Sequence, residues 1–140
     1  MRNYLSNSPE AMARLIAMFM ITDGDIDPRR IDVLEKIHAY DLLGIDRKRF
    51  TQVLRNYCDD ISDEADEDDG VIHLMDRTRI DAMLDDVADR GKQLITCALA
   101  MHVAKSDGDI SEVEITLLRH MMRSWQITLD DIGSRLQKQS

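Results

Sequence analysis

The apolar positions of this chain recur at helical rather than strand spacing. Met12, Leu15, Ile16 and Phe19 fall at i, i+3, i+4 and i+7, directly after Ser8-Pro9-Glu10. Serine is a favoured N-cap and proline suits the first helical position, so a helix is predicted from there to about Thr22. Asp27-Pro28 gives the same start signal, and Ile31, Leu34, Ile37 and His38 supply the face of a second helix. Gly44 ends the connection that follows, and Asp46 caps a third helix with Phe50, Val53, Leu54 and Tyr57 inward. A linking helix is expected over 76–89, with Ile80, Met83, Leu84 and Val87 on its buried side. Three more follow, at about 91–105, 111–124 and 128–137. Ser111-x-x-Glu114 and Thr128-x-x-Asp131 open the last two as capping boxes. No run of β-branched residues alternates with polar ones. The expected fold is all-α, with about seven helices.

The two halves of the chain repeat each other. Thr22-Asp23-Gly24-Asp25-Ile26 returns as Ser106-Asp107-Gly108-Asp109-Ile110, 84 residues later. At that offset Leu15 meets Leu99, Phe19 meets Val103, Ile31 meets Ile115, Leu34 meets Leu118 and Ile37 meets Met121. Two residues are then lost, and Ile45-Asp46 faces Ile127-Thr128, Phe50 faces Ile132 and Leu54 faces Leu136. A shared tetrapeptide with matched apolar spacing predicts a duplicated three-helix unit with a linking helix. The units occupy about 8–57 and 91–137 of a single domain spanning 1–140.

Charge divides the chain at the same place. Residues 1–58 carry nine basic and eight acidic side chains, 59–70 carry eight acids and no base, and 71–140 carry nine basic and eleven acidic. The segment Asp59 to Gly70 therefore supplies most of the net −9, and such a run is expected to be a solvated acidic loop. An acidic chain is repelled by phosphate backbones, which argues against a nucleic-acid partner. The longest wholly apolar run, Leu15 to Ile21, is seven residues, against the roughly 20 that a membrane span needs. Arg2 is followed by no apolar stretch with a small-residue cleavage pattern, so no secretory leader is expected. Cys58 and Cys97 form no CxxC pair and imply neither a disulfide framework nor a zinc site. These features together predict a cytoplasmic protein. Aromatic residues make up only 4% of the chain, so aliphatic side chains and the nine methionines must fill its core.

The stretches ITDGDIDPRRIDVLEKI and AKSDGDISEVEITLLRHM, with Asp-Gly-x-Ile between the first and second helix of each unit, resemble the TerB-like tellurite-resistance family. The helix order extends that resemblance over nearly the whole chain. It implies an all-helical, bacterial, cytoplasmic protein associated with tellurite resistance and stress responses, acting through a protein partner. It also implies that the acidic loops are metal sites. The long acidic insertion lies outside the family's minimal motif.

The DGDI segments admit two readings. As helix punctuation, Gly24 and Gly108 adopt positive φ, the isoleucines return to the core, and Asp25, Asp27, Asp109 or Ser111 caps the next helix. As a site, Asp23, Asp25, Asp107 and Asp109 offer hard oxygen donors to a divalent cation such as Ca²⁺ or Mg²⁺ if the two loops converge. The loops are not EF-hands. Aligning Asp23-Gly24-x-Ile26 with the fifth to eighth positions of that loop puts Phe19 and Ile21 at the first and third, and Arg30 at the twelfth. In the second copy Glu114 does fall at the twelfth position, but Val103 and Lys105 hold the first and third. The acidic run fails similarly, with Ala65 where the first aspartate belongs.

Catalysis finds little support. His38, His73, His102 and His120 lack HxxxH spacing, Cys97 and His102 point apart on a helix, and no nucleophile elbow, P-loop or dinucleotide fingerprint occurs. Met12, Met18, Met20, Met101, Met121 and Met122 read as core filling. Arg29, Arg30, Arg47, Lys48 and Arg49 read as balancing the molecule's own acids. The sequence thus favours a helical interaction domain over an enzyme, with divalent-cation binding as the alternative.

Overall fold

The computed structural model describes residues 4–21, 28–68, 77–105 and 112–138; the side chains of 28–30, 63–68, 77 and 134–138 fall outside that description. Among the described residues there are eight helices and no strand. They are α1 (Pro9–Met20), α2 (Pro28–Lys36), α3 (Ala39–Leu43), α4 (Arg47–Asp68), α5 (Arg77–Asp85), α6 (Arg90–Ala104), α7 (Glu112–Trp125) and α8 (Leu129–Lys138).

The sequence Ala11–Met20 contains one charge, Arg14, and is otherwise apolar on every side. A helix of that kind belongs inside a protein. All ten residues are buried, and α1 packs chiefly against α6 and α4. Its own cap holds the start, with Ser8 Oγ accepting from Ala11 N at 3.1 Å. In α6, Thr96–Ala100, Val103 and Ala104 are buried, and Asp89 caps its start by accepting from Lys92 N at 3.0 Å. The short side chains of Ala98, Ala100 and Ala104 leave room for close helix contact. Around this central pair, α4 and α5 lie on α1, whereas α7, α8 and α2 lie on α6. Met12, Met18, Met20 and Met121 are buried in the core, and Met101 and Met122 are half-buried against it.

Three of the helix boundaries keep the spacing of the sequence repeat. Met20 and Ala104, the ends of α1 and α6, are 84 residues apart, as are Pro28 and Glu112, the starts of α2 and α7. Arg47 and Leu129, the starts of α4 and α8, are 82 apart. The corners before those last helices share a hydrogen-bond pattern. Ile45 N donates to Tyr40 O at 3.0 Å and Ile127 N to Met122 O at 2.8 Å. Gly44 and Gln126 both take positive φ, +77° and +54°, the left-handed turn that ends many helices. Packing partners do not follow the repeat, since α2 lies chiefly on α6 and not on α1.

Two sequence expectations need correction. The first is the helix count of about seven. The segment expected as a second helix carrying Ile31, Leu34, Ile37 and His38, then a connection ended by Gly44, holds two helices, because Ile37 and His38 form a turn with His38 at φ +55°. Its counterpart α7 runs unbroken. The first half carries two more residues between equivalent caps, and the left-handed turn absorbs them.

The second is the acidic loop at 59–70, since α4 continues to Asp68 and residues 69–70 lie outside the described residues. The stripe Phe50, Val53, Leu54 and Tyr57 extends by one further turn to Ile61, which is 3% exposed. Burying that side chain requires Asp59 and Asp60 to be helical, whatever their preference for water. Ile61→Ala should therefore destabilise the protein by about 2–4 kcal/mol, the usual cost of truncating a buried isoleucine. Ser62→Ala, at an exposed position one residue on, should leave the urea midpoint within error.

Candidate functional site

Asp23, Asp25, Asp107 and Asp109 lie outside the described residues. Glu114 is on the first turn of α7 and is 2% exposed. The segments 22–27 and 106–111 that carry the aspartates leave from the C-terminal ends of α1 and α6. Those helices begin side by side, tied by residues 4–8. Asn7 N donates to Asp86 O at 2.6 Å, Asn7 Oδ1 accepts from Ala88 N and Asp89 N at 2.7 and 2.8 Å, and Lys92 Nζ donates to Asn7 O at 2.5 Å. This clasp needs Asn7 at φ +63°, a conformation that asparagine tolerates better than most side chains. Among the described residues no three His, Cys, Asp or Glu side chains group closely enough to hold a metal ion.

The buried charge of α1 is met at the same end. Arg14 Nη2 donates to Asp86 Oδ2 at 2.7 Å, and the guanidinium lies 4.9 Å from the centre of the Tyr4 ring. A charge this deep needs both an ion pair and satisfied donors. Arg90, at the head of α6, reaches the α7–α8 corner, donating to Trp125 O at 2.7 Å, Gln126 O at 3.1 Å and Asp131 Oδ2 at 3.3 Å. A cation there also suits the negative end of the α7 dipole. The expected capping box at α8 forms in both directions. Thr128 N donates to Asp131 Oδ2 at 2.9 Å, and Asp131 N donates to Thr128 Oγ1 at 3.2 Å.

None of these contacts makes a catalytic set. Cys97 is fully buried while His102 is exposed, so the two do not meet. Burial pushes the Cys97 thiol up to about 12. Burial first, and then the Asp59 charge, also raises Cys58. His38 is exposed on its turn, and His73 lies outside the described residues. His120 Nε2 donates to Asp81 Oδ1 at 2.6 Å, which links α7 to α5. Of the basic set read as balancing acids, Arg47 pairs with Glu35, and Arg49 pairs with Glu10 at 3.4 Å.

No protein-family model, curated protein or solved structure matches the chain. Its site must be read from its own surface.

Among the described residues, two concavities bear on function. One, of about 150 Å³, lies between α6 and α8 and is lined by Ala98, Met101, His102, Lys105 and Ile132. The other, of about 160 Å³, is lined by Thr116, Arg119, His120 and Arg123, all on α7. The second was not singled out in the sequence. Its signal was there, a polar i, i+3, i+4, i+7 stripe bearing two arginines and a histidine, but balanced charge on a helix usually means a solvated face.

The thiols provide one check. In the folded protein at pH 8, Cys58 should react slowly with a maleimide or disulfide reagent. Cys97 should stay protected until global unfolding, because only the thiolate attacks. The α8 cap provides another. The backbone N–H of Thr128 first, then its hydroxyl, and the Arg90 charge hold Asp131 below its ordinary 3.8. A lowered carboxylate stabilises the fold above its unfolded value, and that contribution is lost as pH falls through the folded one. Acid titration of the melting temperature should therefore show a smaller drop below pH 3.8 in Asp131→Asn than in the parent.

Proposed function

We propose that the chain is a TerB-like helical interaction domain of a tellurite-resistance or stress-response system, working in the cytoplasm through a protein partner. The observation that supports this reading is the helix arithmetic. The end of α1 and the start of α2 recur in α6 and α7 at the 84-residue offset of the DGDI repeat, and the start of α4 recurs in α8 two residues short of it, as a duplicated three-helix unit would place them. No described helix is long and apolar enough to cross a membrane.

A second reading, in which the DGD segments hold a divalent cation, draws on a different observation. α1 and α6 begin side by side under the Asn7 clasp and end at equivalent positions, so both acidic connections leave from equivalent helix ends. The donors would be Asp23, Asp25, Asp107 and Asp109, with Glu114 at the head of α7. Four carboxylates at one place repel one another unless a cation neutralises them.

The first reading is tested in cells of the source. Deleting the gene should lower tolerance to tellurite, and the intact gene should restore it; unchanged tolerance would remove the tellurite assignment. Calorimetry with Ca²⁺, Mg²⁺ and Mn²⁺ tests the second. Saturable binding abolished in Asp23→Asn/Asp107→Asn is the expected result for a cation site, with a higher melting temperature in the presence of metal. Equal heats from parent and variant would leave the aspartates as helix punctuation.

A further inference from the structure

The α7 cleft has features that the interaction-domain reading does not use. Thr116, Arg119, His120 and Arg123 occupy successive turns of one helix face, so their side chains line a single strip. Arg14, Arg47, Arg49 and Arg90 each hold a carboxylate. Arg119 and Arg123 hold none among the described residues, although acids outnumber bases 27 to 18 in the chain. Both are exposed, and both line the same concavity of about 160 Å³. His120 beside them is fixed rather than free. Its Nε2 is held by Asp81 at 2.6 Å, and its side chain is 24% exposed. The Thr116 hydroxyl donates to Glu112 O at 2.8 Å, which leaves the arginines as the donors of the cleft.

We infer that this cleft binds a phosphate-type oxyanion, held between the Arg119 and Arg123 guanidinia over an imidazole oriented by Asp81. Guanidinium groups present planar, always-charged pairs of N–H donors that match the oxygens of a tetrahedral oxyanion. Two of them four residues apart on a helix place four or more donors on one side of the ligand. A dianion then balances their charge without help from a neighbouring chain. A carboxylate offers two coplanar oxygens and one charge, and satisfies this donor set less completely. Asp81 engages His120 from α5, so the anion sits on the arginine side of the imidazole. The site is open to solvent and its attraction is screened, so affinity should fall as salt rises.

The test is an NMR titration of the full chain with inorganic phosphate at low ionic strength, with chloride at matched ionic strength as the control. Saturable shifts of the Arg119 and Arg123 Nε–Hε signals with phosphate, absent with chloride, are expected. In Arg119→Gln/Arg123→Gln the dissociation constant should rise at least about tenfold, since both charge-assisted donors are lost. In Arg47→Gln/Arg49→Gln, which removes the same charge elsewhere, it should change less than about twofold. Equal, non-saturating shifts with both anions would overturn the assignment, as would equal loss of binding in the two double variants. Self-association of the parent that disappears in Arg119→Gln/Arg123→Gln would also overturn it, by giving the arginines to a second copy. All of these residues are exposed, so the variants should fold. The result is independent of tolerance to tellurite.

Discussion

The fold depends on burying one helix completely. α1 has no polar face to offer solvent, so a single neighbour cannot cover it, and α3, α4, α5 and α6 close around it. Each large apolar side chain sealed there is worth roughly 1.5–3 kcal/mol, so Leu15, Ile16, Phe19 and their neighbours dominate the favourable side of folding. The cost is the one charge within the helix. Arg14 cannot reach water, and the structure supplies Asp86 and the Tyr4 ring from two other segments. Those segments are held by Asn7, which joins the chain before α1 to the chain before α6. The burial of α1, the ion pair and the clasp at the helix heads are therefore one arrangement.

Much of this was legible in the sequence wherever local chemistry and burial agreed. Ser8, Asp46 and Thr128 cap the helices that they precede, and the apolar stripes face the core. The methionines fill space between alanine-rich surfaces. Composition misled where it disagreed with periodicity. Eight acids within residues 59–70 read as a loop, but Ile61 continued the stripe of α4, and one buried isoleucine outweighs the helix preference of its exposed neighbours. The break at His38 was hidden for another reason. The residues around it are good helix formers, and only the two-residue difference between the halves pointed to a local accommodation.

The candidate sites were legible to a different degree. The DGDI repeat is conspicuous because two copies of a short polar motif stand out against apolar spacing. The α7 cleft is not, because its residues form a mixed strip on a helix whose other face is core. A concavity, and arginines without a carboxylate among the described residues, are properties of the folded surface. The contacts of Asn7 are likewise long-range, reaching over eighty residues along the chain, and no spacing rule announces them.

The two halves differ where the second carries its basic strip. At the 84-residue offset, Thr116, Arg119, His120 and Arg123 face Asp32, Glu35, Lys36 and Ala39. The first three lie in α2, which ends at Lys36, and Ala39 is buried at the start of α3 beyond the turn at His38. A continuous four-position strip cannot form across that turn, because the left-handed residue rotates the following helix away from the preceding one. The second half is two residues shorter between the aligned positions, α7 runs unbroken from Glu112 to Trp125, and that run brings Arg119 and Arg123 into register on one face. Charge differs along with geometry. Glu35, aligned with Arg119, binds Arg47 and ties α2 to α4, whereas Arg119 has no such partner among the described residues and faces the cleft. The same helical frame thus carries an internal ion pair in one half and an open cationic surface in the other.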